Sequence, residues 1–193
     1  MTEIILGLPA IAFATQADFE QWLGSHFADP TGIWVKIAKK NTGVTTATYD
    51  ELLDVALCYG WIDGQVRSYD ATYYLQRFTP RRAKSVWSLI NTKKIAALTK
   101  AGRMQPSGIA AVEAAKRDGR WDAAYSPQKD MQLPEDFAAA LRASPKAQAF
   151  YETLTKSHKF AFYYRIQDAK RPETRKARIE KFVGMLEHGE KLY

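Results

Sequence analysis

The sequence holds one cysteine, three histidines and no apolar run approaching the roughly 18 residues of a membrane-crossing helix. Each shortage narrows the reading. A lone Cys58 cannot form an internal disulfide, so a reducing cytoplasm is the expected compartment. His26, His158 and His188 show no ligand spacing with one another or with Cys58, so no metal and no cofactor is expected. The opening "MTEIILGLPAIAF" is apolar but carries Glu3, has no basic leader and is broken by Pro9, which argues against a secretory signal. There is no repeat of fixed period, no low-complexity tract, no Walker loop and no dinucleotide fingerprint.

What is present is the composition of an ordinary globular protein. With 193 residues, 46% of them hydrophobic and 25% charged, the chain is long enough for one sizeable core or a core with an appendage. The net charge of +7 is unevenly spread. Residues 1–74 hold 4 basic and 9 acidic side chains, a balance of −5, and residues 75–193 hold 24 and 12, a balance of +12. A basic half of this kind either attracts anions, nucleic acid or an acidic surface, or is simply a set of solvated Lys- and Arg-rich helices.

Helix signals are frequent. "TQAD" and "TYDE" have capping-box form, with Thr15 and Thr48 as N-caps and an acid three residues on. Phe19, Trp22, Leu23 and Phe27 follow the first at helical spacing, and Leu52, Val55, Ala56 and Tyr59 the second, with Gly60 placed to end it. "SPKAQAFYETL" starts on Ser144 with Pro145 in the first turn, and "RPETRKARIEKFVGMLEHG" sets Ile179, Phe182, Val183 and Leu186 on one stripe before Gly189. Strand signals cluster earlier: "GIWVKIAKK" alternates Ile33, Val35 and Ile37 with Trp34, Lys36 and Ala38, and "GWIDGQVRS" and "TYYLQRFTP" follow. Strands before Pro80 and helices after Ser85 predict an α+β fold, a small antiparallel sheet with covering helices and then a helical C-terminal part. The expected division is residues 1–125, mixed and carrying a polar cleft, and residues 135–193, helical and packed on it as one compact unit. "SPQKDMQLP", residues 126–134, is the expected exposed connection.

The candidate site starts from "WIDGQVR". As a strand it points Ile62, Gly64 and Val66 one way and Trp61, Asp63, Gln65 and Arg67 the other. A hairpin closed around Tyr69–Asp70–Ala71 would set Ile62 opposite Phe78, Val66 opposite Tyr74, Asp63 opposite Arg77 and Trp61 opposite Thr79. Asp63, Gln65, Arg67 and Arg77 would then share one face with Trp61 at its edge. Two readings compete. In one, Asp63 and Arg77 are a cross-strand ion pair with a structural role. In the other, they lie in a partly dry cleft, with Asp63 available as a base. Arg77, Arg81 and Arg82 approach an expected helix start near Ser85, where backbone N–H groups favour anions, and Trp87 follows. Lys36, Lys39 and Lys40 could add to the field. Cys58 and Tyr59 are weaker candidates, a buried inert thiol being the alternative for the first. Phe160, Phe162, Tyr163 and Tyr164 beside Lys159 and Arg165 either stack bases or fill a core.

"ALCYGWIDGQ", "LQRFTPRR" with "SVWSLIN", "AGRMQPSGIAAVEAAKRDGRWDAAY" and "YRIQDAKRPETRKARI" together resemble the YdeI/OmpD-associated, or bacteriocin-protection, family over about Phe13 to Glu187. The resemblance implies protection against antimicrobial peptides or bacteriocins and association with an outer-membrane porin. It brings no catalytic residues, and "GWIDGQ" and "QRFTPRR" carry over only as family-typical polar positions. The expected function is thus non-catalytic stress or envelope protection by binding a protein partner or a small anionic ligand. The alternatives are a small-molecule enzyme or sensor built on the cleft and, more weakly, a nucleic-acid binder using the basic half.

Overall fold

The computed structural model describes residues 3–126 and 131–193. Four residues of the expected 126–134 connection lie outside the described set. The chain divides into two compact units, Met1–Ala124 and Tyr125–Tyr193.

The first unit is a five-stranded sheet with helices. Strands β1 (Glu3–Ile5) and β2 (Leu8–Ala12) form a hairpin, and helix α1 (Gln16–His26) leads to β3 (Ile33–Ala38). Helix α2 (Tyr49–Cys58) precedes the second hairpin, β4 (Trp61–Ser68) and β5 (Tyr73–Pro80), and α3 (Leu89–Lys100) and α4 (Pro106–Arg117) follow. The sheet order is β1-β2-β3-β5-β4. It is mixed: β2 and β3 run parallel across the α1 crossover, and the other three pairings are antiparallel. The β1–β2 hairpin turns on Leu6 and Gly7, both at positive φ (51° and 78°), the backbone of a tight two-residue turn. Pro9 is tolerated inside β2 because the parallel ladder to β3 begins only at Ala10, so its missing N–H leaves no bond unmade there.

Local chemistry sets the helices. Thr15 with Asp18 and Thr48 with Glu51 form complete capping boxes. Gly60 follows α2 at φ 79°, the left-handed conformation that glycine adopts without steric cost. Phe19 and Leu23 of α1, nearly every residue from Leu52 to Cys58 of α2, and Ile33, Val35, Ile37 and Phe78 of the sheet make one buried cluster. Helix α2 is apolar almost all round because α1, α3, α4 and β4 all contact it. On the opposite face of the sheet, Ala10, Trp34 and Leu75 form a smaller buried group.

The second unit is helical: α5 (Glu135–Ala143), α6 (Pro145–Thr153), α7 (Lys156–Gln167) and α8 (Pro172–Glu187). Ser144 caps α6 with Pro145 in its first turn, and Gly189 lies beyond α8 at φ 73°. Its core joins Phe137, Leu141, Tyr151, Phe162, Ile179, Phe182 and Leu186. Arg175 of α8 forks the Asp136 carboxylate of α5 at 2.5 and 2.9 Å. Phe162 and Tyr163 are buried here, which is the core reading of that aromatic cluster. No helix among the described residues is long and apolar enough to cross a membrane.

Candidate functional site

The β4–β5 hairpin has a different register from the one the sequence suggests. Trp61 pairs with Pro80, Ile62 with Thr79 and Asp63 with Phe78; beyond an irregularity, Val66 pairs with Gln76, Arg67 with Leu75 and Ser68 with Tyr74. Gly64 and Gln65 together lie opposite Arg77, a β-bulge. The expected oppositions Asp63–Arg77, Ile62–Phe78, Val66–Tyr74 and Trp61–Thr79 are therefore all replaced. The consequence for the faces is direct. Asp63 shares a face with buried Phe78, and its Oδ2 accepts a hydrogen bond from the Tyr49 hydroxyl of α2 at 2.9 Å. Burial, then the Asp63 charge, raise the Tyr49 phenol well above its usual range. Arg77, one residue along from Phe78, points to the other side. Asp63 and Arg77 do not share a cleft. Trp61 also leaves the polar face: it is fully buried in the core, its Nε1 donating to the Phe27 carbonyl at 2.8 Å.

A cavity of about 540 Å³ does open on the Arg77 side. Gln65, Arg77, Arg81 and Arg82 line it, so four of the expected residues come together. The sequence reading did not assign Pro30, Ile62, Gly64, Thr79, Pro80 and Ser85 to the site, but they complete its described wall. The side chains of Arg77 and Arg81 are held by separate devices. Arg77 Nη2 donates to the Thr31 carbonyl at 3.2 Å, reaching the turn that carries Pro30. That turn presses on β5 at Gly32 (φ 81°), where a Cβ would lie 2.4 Å from the Phe78 carbonyl oxygen. The Arg81 guanidinium stacks 3.5 Å from the centre of a Trp87 ring and donates from Nη1 to the Val86 carbonyl at 3.1 Å. Trp87 thus supports the cleft from beneath while itself 2% exposed. Arg82 is exposed, and its backbone N–H donates to Ser85 Oγ at 3.0 Å in a closed turn. Ser85 is occupied there, and the helix expected near it starts later, at Leu89 with Ser88 as cap.

The remaining candidates lie elsewhere. Arg67 shares the face of Arg77 through its pairing with Leu75 but stands exposed and does not line the cavity. Lys39 donates to the Asp70 carbonyl at 2.5 Å and borders a separate cavity of about 560 Å³ with Lys40 and the 41–48 segment. Lys36 pairs with Glu3, which Tyr69 also reaches at 2.7 Å. Tyr59 packs beside Phe27, its phenol raised by burial. Cys58 is fully buried in the core, and burial pushes its thiol up to about 11. We expect native Cys58 to react with a soluble disulfide reagent at pH 8 on the order of 100-fold more slowly than in the urea-unfolded chain. Equal rates in the two states, followed by the released thiolate absorbance, would show that the thiol is reachable.

Arg77, Arg81 and Arg82 bring three fixed positive charges to one cavity, and no acidic side chain is among its described lining residues. Such a cleft can hold an oxyanion by forked hydrogen bonds, and no carboxylate or imidazole is among its described lining residues. Residues 11–111 match the family model described as a domain of unknown function (DUF8412), more than half of the chain. The chain belongs to that family. Residues 130–189 match the model described as Bacteriocin-protection, YdeI or OmpD-Associated. The cleft lies within the DUF8412 match, and the helices α5 to α8 lie within the YdeI/OmpD-associated match. The YdeI/OmpD-associated likeness expected across Phe13 to Glu187 is found over residues 130–189, and residues 11–111 match DUF8412 instead. No curated protein and no solved structure gives a match.

Proposed function

We propose that the chain is a non-catalytic protection protein that works by binding a small anionic ligand in the arginine cleft of its DUF8412 domain. The description of the tail's family, bacteriocin protection, supports the protective role. The observation that carries the binding mode is the convergence of Arg77, Arg81 and Arg82 on one cavity with no acidic side chain among its described lining residues. Guanidinium groups offer planar forks of N–H donors that suit an oxyanion. The enzyme reading loses its base, because Asp63 is turned to the opposite face and bonded to Tyr49.

A thermal-shift screen of small phosphates, sulfates, carboxylates and neutral analogues tests this. An anion present at about 100 times its dissociation constant stabilises by about 2.7 kcal/mol, or roughly 5–10 °C for a chain of this size. Arg82→Ala removes an exposed side chain, so it should melt with the wild type and lose most of that shift. If no anion raises the melting temperature, or if Arg82→Ala responds like the wild type, the cleft is not the binding site. A steep salt-dependent response to oligonucleotides alone would favour nucleic acid instead.

A further inference from the structure

We infer that the outer face of α3, with the chain that leads into it, docks on an anionic lipid surface at the level of the headgroups. The inference stands apart from the arginine cleft, because none of the residues it uses lines that cavity. Charge is the first reason. Residues 71–112 contain eight basic side chains and neither aspartate nor glutamate. Two of the eight are engaged in ion pairs: Lys94 with Asp50 and Asp54 of α2 at 3.3 and 2.7 Å, and Arg103 with Glu20 at 3.6 Å. Lys84, Lys93 and Lys100 are exposed, and no ion pair among the described residues includes them.

The second reason is what stands beside those lysines. At about 100° per residue, Leu89, Ile90, Lys93, Ala96, Ala97 and Lys100 fall within an arc of about 120° on α3. All six are exposed, and Asn91, Ile95 and Leu98 on the other side of the helix are buried. A surface helix ordinarily turns polar residues outward. Here the outer arc holds two lysines and otherwise only apolar side chains, with Leu89 38% and Ile90 45% exposed. Val86, just ahead of the helix in the chain, adds a third aliphatic at 50%. Aliphatic groups gathered on an exposed face mark a contact surface.

The side-chain types select a bilayer. Protein interfaces are anchored by aromatic residues and arginine, and this face has neither. Single-stranded nucleic acid uses aromatic platforms for its bases, and its phosphates give aliphatic groups nothing to pack on. A lipid interface suits all the residues present. Val86, Leu89 and Ile90 would enter the boundary between headgroups and acyl chains, and the alanines let the helix axis lie close to it. Lys84, Lys93 and Lys100 would extend their chains to the lipid phosphates. With 12 residues and a length of about 18 Å, α3 can lie on a bilayer but not cross it.

Co-flotation of the full chain with lipid vesicles tests this. Vesicles of phosphatidylcholine and phosphatidylglycerol, at about two to one, should retain the protein, and phosphatidylcholine alone should bind it at least about tenfold more weakly. Val86→Ser with Ile90→Ser exchanges two exposed side chains, so this variant should melt with the wild type. We expect it to bind the mixed vesicles about tenfold more weakly, because two aliphatics no longer leave water. Lys93→Gln with Lys100→Gln should weaken binding about twentyfold, each lysine near an anionic surface contributing roughly fivefold. Lys170→Gln with Lys176→Gln removes the same charge from exposed positions elsewhere and should change little. No retention on the mixed vesicles would overturn the inference, as would equal retention of the serine variant. Equal losses in the two glutamine variants would replace the α3 face by net charge alone. An oligonucleotide that binds through Lys93 and Lys100 while vesicles do not would give the face to nucleic acid instead.

Discussion

Gly108→Ala is expected to cost more than about 3 kcal/mol and to lower the melting temperature by roughly 6–12 °C. The side chain being added is one methyl group, and the reason it matters is where α4 meets α2. A Cβ on Gly108 would lie 2.0 Å from the Cys58 carbonyl oxygen, 2.7 Å from the Cys58 carbonyl carbon and 3.0 Å from the Leu57 carbonyl oxygen. All three are backbone atoms, so no side chain can swing aside. The same carbonyl of Cys58 accepts the N–H of Gln105 at 3.0 Å, fixing the start of α4 on the end of α2. Relief requires moving α4 away, and both helices contribute to the buried cluster that also holds the sheet. The effect should reach the cleft, because the Gly60 carbonyl that follows α2 accepts the Arg81 backbone N–H at 3.0 Å. Gly184→Ala supplies the contrast. It lies within α8 with nothing within 4 Å of a built Cβ, so it should stabilise by about 0.5–1 kcal/mol through helix propensity. Urea unfolding of both variants measures the difference; equal stabilities would mean that α4 is free to shift.

Local features were legible in the sequence because a few adjacent residues decide them. The capping boxes at Thr15 and Thr48 need only one acid three positions on, and both form. Gly60 and Gly189 take the left-handed conformation that their position after an apolar helix face suggests. The alternation of "IWVKIA" gives β3 its core-facing Ile33, Val35 and Ile37. The parallel neighbour β2 was not legible, since nothing in "LPAIA" says which way the adjacent strand runs.

The site was half legible, and the dividing line is the bulge. Four residues, Tyr69 to Thr72, lie between the strands, with the Asp70 carboxylate accepting the Thr72 and Tyr73 N–H groups. This longer turn moves the pairing near it by two positions, from Val66–Tyr74 to Val66–Gln76, and a shift of two keeps every side chain on its face. Arg67 and Arg77 share a face for that reason. The bulge at Gly64 and Gln65 then adds a shift of one, and everything before it in β4 changes sides relative to the expected pattern. Asp63 and Trp61 pass to the core; Ile62 turns to the cleft opposite Thr79. The sign was present in the sequence, since a glycine inside an alternating strand marks a bulge as readily as a close approach.

Gln76→Leu tests whether that bulge is built in, and it is expected to cost about 2–4 kcal/mol. Gln76 is 2% exposed, a buried amide among apolar neighbours on the face opposite the cleft. Its Nε2 donates to the Gly64 carbonyl at 3.1 Å, to the Gln65 carbonyl at 3.4 Å and to its neighbour Arg77's carbonyl at 3.2 Å. The first two are the bulged residues, so this one amide ties β5 to the irregular part of β4. Leucine keeps the volume and removes the donor, so those carbonyls lose their partner at about 1–3 kcal/mol for each left unsatisfied. An apolar side chain in the same place also removes the reason for β4 to hold two residues against one. We expect faster amide exchange at Val66 to Ser68 and about tenfold weaker anion binding, although Gln76 is not itself a lining residue of the cleft. Gln65→Ala, an exposed substitution at the bulge itself, should leave stability within about 0.5 kcal/mol of the wild type. If Gln76→Leu is as stable as the wild type and binds anions equally well, the bulge is held by the strands alone. If stability and binding fall together, one buried amide sets which side of β4 meets the arginines, and the cleft depends on the core behind it.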